Sequence, residues 1–395
     1  MALTLCESLP IDLTDRISQE IIDNILPLFN PKTRVDIHAL KSARLVCCAW
    51  EISARRTLFS TFLFTVAKIR SLANGPEAGR RLLPSIRCAS FKCPDQELSS
   101  TEERNEMENK LLKIVPKMSQ LHALNFYQCT LGFVALVGGI VRRDEIKGLS
   151  VGNSFWDAAC QLPEAVSLFP HLQTLELRGI GFPDEASHIG STVEFPFPKG
   201  LSSIDISSYE WMFVIIPWIS RFAAQIRSVT LHVVGSYQAI FIGHFPQAEH
   251  LTLHFYPPFY LESLVAEVTL AGCKSLKSLV IASRLSNRND SPRVFQWYSQ
   301  LISSVTSPGL SHLTFTLQFC RESDLDYVEW QALNTLLLGS RFFMELKEIA
   351  VRVELLQQPW VPLEEIQATL RRKVDPRSRI CLEVEYVGIR KAIEV

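Results

Sequence analysis

The chain has 395 residues, 47% of them hydrophobic and 21% charged. That is enough apolar material for two or three compact domains, or one small domain and an extended array, and too much for a disordered chain. A formal net charge of -1 excludes a general attraction to nucleic acid or acidic membranes.

The first fifteen residues carry Glu7, Asp12 and Asp15 without a basic n-region, so no signal peptide is expected. Residues 19–28 read as a helix, with Ile21, Ile22, Ile25 and Leu28 on one face, Ser18 as cap and Pro27 and Pro31 as stops. A second helix is predicted over 36–42, with Ile37, Leu40 and Ala43 together, and a third over 48–58, with Trp50, Ala54 and Leu58 at helical spacing. Three short helices in so few residues form a unit below the size that usually stands alone. Either they cap the following domain, or their surplus apolar surface awaits a partner.

These residues resemble the F-box. Ile17-Ser18-Gln19-Glu20-Ile21-Ile22-Asp23-Asn24-Ile25-Leu26 is similar to its opening, Leu-Pro-x-Glu-Leu/Ile-x-x-x-Ile-Leu, with Ile17-Ser18 standing where the family carries Leu-Pro. Leu40 to Trp50 is similar to its second half, which ends on Val46-Cys47-Cys48-Ala49-Trp50, and Ala54-Arg55-Arg56-Thr57-Leu58-Phe59 resembles the ending common in fungal members. The resemblance covers about residues 17–60 and implies binding to the Skp-type adaptor of a cullin–RING ubiquitin ligase. It assigns that contact to Ile17, Glu20, Ile21, Ile25, Leu26, Leu40, Val46, Cys47 and Trp50. The helical module is placed at 1–66.

Over 67–395 a phrase of the form apolar-x-x-apolar-x-apolar recurs: Leu121-Leu124-Phe126, Ile146-Leu149-Val151, Leu172-Leu175-Leu177, Leu201-Ile204-Ile206 and Ile226-Val229-Leu231. It continues with Ala248-Leu251-Leu253, Leu276-Leu279-Ile281, Leu310-Leu313-Phe315 and Leu346-Ile349-Val351, and more weakly with Ile86-Ala89-Phe91 and Leu382-Val384. Helical patterns fall between copies at 100–113 (opened by a capping box, Ser100 with Glu103), 258–270, 294–305, 325–338 and 363–372. A short strand alternating with a helix buries its faces only when copies stack. The expected fold is therefore α/β, an irregular, curved, leucine-rich-repeat-like solenoid with parallel strands, similar to the arrays of F-box proteins. Cys129 fits the position where such repeats satisfy loop backbone with Asn or Cys, whereas Ile180, Tyr209 and Tyr256 do not. An ordinary α/β domain with chance repetition is the alternative.

Side chains alternate across a strand, so the residues between the apolar positions line the open concave face. The target-binding candidates there are Tyr127, Glu176, Arg178, Asp205, Thr230, His232, Thr252, His254, His312 and Thr314, a hydroxyl- and histidine-rich set suited to a protein partner rather than a polyanion. No metal site is expected. The ten cysteines are scattered without a C-x-x-C pair, and His250 and His254 lie about 13 Å apart along a strand, too far to share one ion. The cysteines read as reduced, buried side chains of an intracellular protein.

The apolar runs 131–141 and 211–219 are shorter than the ~20 residues that span a bilayer, so a soluble cytoplasmic or nuclear chain is expected. No Walker loop, H-E-x-x-H or G-x-S-x-G motif is present, and neither catalysis nor a cofactor is expected. The sequence thus points first to a substrate receptor, holding the adaptor by its helical module and a target on its solenoid. A non-ligase scaffold with a helical cap comes second, and an enzyme assembled from distant residues a distant third.

Overall fold

The computed structural model describes residues 25–26, 34–43, 48–75, 81–93, 100–154, 156, 161–181, 196–207, 218–233, 241–255, 269–285, 291–339, 346–357, 359, 361–374 and 380–387. They divide between two compact units, one formed by 1–155 with 162–172, the other by 156–161 with 173–395.

In the first unit, helices α1 (Arg34–Ala43) and α2 (Cys48–Leu58) pack on one another. Strands β1 (Thr61–Thr65), β2 (Cys88–Lys92), β3 (Ala123–Tyr127) and β4 (Gly148–Gly152) follow, paired in chain order and all parallel. Helices α3 (Val66–Asn74), α4 (Thr101–Ile114), α5 (Leu131–Ile140) and α6 (Gln161–Ser167) alternate with them. Parallel neighbours require such crossovers, because no tight turn can return the chain to the same end of the sheet. The core is an aromatic stack: Phe64, Phe91 and Phe126 lie with successive centroids 5.2 Å and 5.7 Å apart, and Phe133 of α5 meets the last two edge-on.

In the second unit, β5 (Thr174–Arg178), β6 (Ser203–Ser207), β7 (Ser228–Val233), β8 (His250–Phe255), β9 (Ser278–Leu285), β10 (His312–Phe319), β11 (Glu348–Leu355) and β12 (Cys381–Tyr386) also pair in chain order, all parallel. Helices α7 (Ser291–Ser303), α8 (Trp330–Gly339) and α9 (Leu363–Lys373) lie between the later strands. Tyr298 of α7 stacks on Phe315 of β10 at 5.3 Å.

The repeated phrase explains this arrangement. In each clear copy the last two apolar positions fall on a strand and are buried, from Leu124 and Phe126 to Ile349 and Val351. One backbone device also recurs where strands begin. The carbonyl of Arg87 accepts from both His122 and Ala123, that of Ser202 from Arg227 and Ser228, and that of Lys277 from Ser311 and His312. Each repeat thereby fixes the start of the next, and the fold is a leucine-rich-repeat-like α/β solenoid with irregular spacing.

The loops depart from a regular array. After β3, β4 and β5 the chain turns through a left-handed residue, at Gln128 (φ 56°), Asn153 (φ 45°) and Gly179 (φ 54°). Only the last has the glycine that this geometry favours. Cys129 serves as expected: its thiol lies 3.4–3.5 Å from the carbonyls of Tyr127 and Phe91, and Ser154 Oγ accepts from its N–H. Ile180 is simply buried, and Tyr209 and Tyr256 lie outside the described residues.

The predicted helices at 36–42, 48–58, 100–113, 294–305 and 363–372 are present within a few residues, α4 with its Ser100–Glu103 capping box. The helix predicted over 325–338 is two pieces, a 3-10 segment Glu322–Tyr327 and then α8. Val328 is extended between them, and Trp330 Nε1 donates across the break to the Leu325 carbonyl. Helices α3, α5 and α6 were not anticipated. The helices predicted at 19–28 and 258–270 fall almost wholly outside the described residues.

Candidate functional site

The described part of the helical module has one apolar core. Leu26, Leu40, Ala43 and Ala54 are buried together, with Trp50 and Leu58 packed against them. Leu26 is 1% exposed, while its neighbour Ile25 turns outward at 46%. The indole N–H of Trp50 is buried and meets no acceptor among the described residues, an arrangement that costs about 1–3 kcal/mol. Leu26 and Leu40, expected on a docking face, are buried in this cluster of the chain's own side chains. Trp50 stands between the two roles, half-buried and partly accessible. Ile17, Glu20, Ile21, Val46 and Cys47 lie outside the described residues.

On the strands, the candidates occupy the interleaved face, grouped by unit. In the first unit Tyr127 is 41% exposed, with Lys92 Nζ 5.7 Å from its ring centroid and Asn153 Nδ2 hydrogen-bonded to its hydroxyl. Beside it Asn125 Nδ2 donates to Ser90 Oγ at 3.0 Å.

In the second unit, register brings the remaining candidates side by side. Glu176 pairs with Asp205, Asp205 with Thr230, and Thr230 with Thr252, while His232 pairs with His254. Arg178 Nε lies against Glu176 Oε1, and its Nη2 is 3.7 Å from Asp205 Oδ2. The other oxygen, Asp205 Oδ1, is buried without a hydrogen-bond donor among the described residues. Burial pushes the Asp205 carboxyl up to about 6 against the opposing pull of Arg178.

The two imidazoles stack with centroids 4.3 Å apart and planes 6° from parallel. Burial lowers His232 to about 3 and His254 to about 4, and Arg178 adds to both shifts. Although His232 Nε2 approaches Asp205 Oδ1 to 3.7 Å, this is not an ion pair at neutral pH, since the buried ring is uncharged. His232 was expected to be open to a partner. It is 1% exposed, and the placement is corrected: it belongs to the interleaved face by register, and stacking on His254 helps to cover it. Thr314 lies further along the face, and His312 is exposed beside Glu348 at 3.9 Å.

Alternation places Glu348 and Arg352 on this face, but sequence reasoning missed the partners of Arg352 at its far side. Arg352 Nε lies 3.0 Å from Glu383 Oε2 and 3.9 Å from Glu385 Oε1, and Gln318 Nε2 donates to Glu354 at 2.8 Å. The signal was present, since alternation about Leu382 and Val384 puts Glu383 and Glu385 on the opposite face. Strands β9 to β11 run to eight residues each and add a row beyond the repeated phrase.

Among the described residues no three His, Cys, Asp or Glu side chains gather as a metal site. No helix among them is long and apolar enough to cross a membrane. No protein-family pattern matches the chain, and no curated protein matches it in sequence. Among solved structures it is similar to a chain of the yeast Rad7–Elc1 complex, with 12% identity and a TM-score of 0.34, covering 98% of this chain and 96% of that one. A likeness of that degree carries no inference about function.

Proposed function

We infer that the chain is a substrate-recognition subunit of a cullin–RING ubiquitin ligase, binding a Skp-type adaptor through residues 17–60 and a target protein on the interleaved strand face. One observation carries this reading: Ile25, an apolar side chain, stands 46% exposed beside the buried Leu26. A helical module of about forty-five residues is below the size that usually stands alone, and an exposed apolar side chain on it suits a partner surface. The ordered match of residues 17–60 to the F-box names the kind of partner. The chain itself makes no bonds in this scheme. It holds a target near the charged ubiquitin-conjugating enzyme and so raises the effective concentration of the acceptor.

Co-expression with a Skp-type adaptor is the direct test. Wild-type chain is expected to co-purify with the adaptor in equal amounts, and Ile25→Asp to lose it. Because Ile25 is on the surface, the variant should keep its fold by circular dichroism. Equal recovery of adaptor with the two chains would favour the alternative, a scaffold whose helices are a structural cap.

A further inference from the structure

We propose that the strand face of the second unit holds an extended peptide segment bearing two basic side chains, set eight or nine residues apart. This deepens the proposed function and rests on its assignment of that face to the target.

The two ends of the face share one electrostatic design. At β5 and β6 a single guanidinium, Arg178, stands between Glu176 and Asp205. At β11 and β12 a single guanidinium, Arg352, stands between Glu383 and Glu385. Each end therefore has more carboxylates than its arginine can neutralise, Glu354 adding to the pair at the second end. At the first end Asp205 Oδ1 is buried beside His232 Nε2, but the Asp205 side chain keeps 29% of its surface open, so an incoming ammonium or guanidinium can meet the carboxylate there. Lys277 and Arg227 are engaged elsewhere, closing on Glu249 at 2.6 Å and 4.0 Å.

Between the ends, register lays out a lane of short uncharged side chains. Asp205 is followed across the strands by Thr230, Thr252, Val280, Thr314 and Ala350 in direct pairing. Backbone laid over such a floor can approach closely, and the threonine hydroxyls can donate or accept hydrogen bonds. From β6 to β12 is six strand steps, about 29 Å at ~4.8 Å per step. Glu383 lies two residues beyond Cys381, where the Asp205 row ends, which makes the span about 30 Å. An extended segment rises ~3.3 Å per residue, so about nine residues cover that span. The two acidic ends thus set the spacing of the two cations, and opposite charge at both ends selects against acidic partners.

The test is a random peptide library selected on the full-length chain with no adaptor present, so its outcome is independent of the adaptor reading. Recovered peptides are expected to carry two Lys or Arg residues eight or nine positions apart. With Glu383→Gln/Glu385→Gln the requirement at one position should vanish, and with Glu176→Gln/Asp205→Asn that at the other. A labelled peptide from the selection should bind roughly two- to fivefold more weakly to each variant. Glu383 and Glu385 are half exposed, so the first variant keeps its fold even if the second does not. Recovery of no peptides, of acidic peptides or of basic peptides without the spacing would overturn the proposal, as would pools unchanged by the first variant.

Discussion

Asp205 and the imidazoles beside it titrate in opposite senses, and that gives the strand face a measurable signature. The carboxyl of Asp205, raised from 3.8 to about 6 by burial, keeps its proton in the folded chain where the unfolded chain has lost it. Its contribution to stability is complete below pH 3.8 and is lost as pH rises through 6. His232 and His254, depressed from 6.5 to about 3 and about 4, contribute stability above pH 6.5 that is lost as pH falls towards those values. Asp205→Asn removes only the first component. Urea denaturation at pH 4.5, 5.5 and 7 should therefore show the variant gaining stability relative to wild type as pH rises. A difference independent of pH would mean that Asp205 is not buried as described.

At the scale of elements, most strands were legible because each places two buried side chains two apart, with a third apolar residue three positions earlier. Strand β1 has the same phrase in Phe59-Phe62-Phe64, and its register sets Phe62 beside Ala89 and Phe64 beside Phe91. It was overlooked because Phe59 also fits the end of the helical module, and one residue can serve two patterns. The candidate face was legible as far as alternation reaches, so Asp205, Thr230 and Thr252 were found in register. That His232 and His254 could be neighbours on adjacent strands was legible from the repeats, but the burial of His232 beneath that stack was not. Close backbone contact is equally silent. A Cβ added at Gly272 would lie 2.5 Å from the Gly243 carbonyl oxygen and 2.9 Å from its Cα. Backbone cannot yield as a side-chain tip does, so Gly272→Ala should cost about 1–3 kcal/mol. The readout is the urea midpoint, and an unchanged midpoint would show that these turns do not touch.

In the whole molecule, a short helical pair precedes a long run of repeats. The repeats bury apolar rows and fix one another through shared carbonyls, and among the described residues the helix pair buries Leu40, Ala43 and Ala54. Such a division suits a receptor, in which one surface engages the common machinery and another the variable target. Hydrogen exchange on the purified full-length chain, with and without a Skp-type adaptor, tests this most directly. Exchange in residues 34–43 and 48–58 is expected to slow when adaptor is added to wild type and to stay unchanged in Ile25→Asp. Slowing confined to the strands, or equal slowing in that variant, would contradict the account.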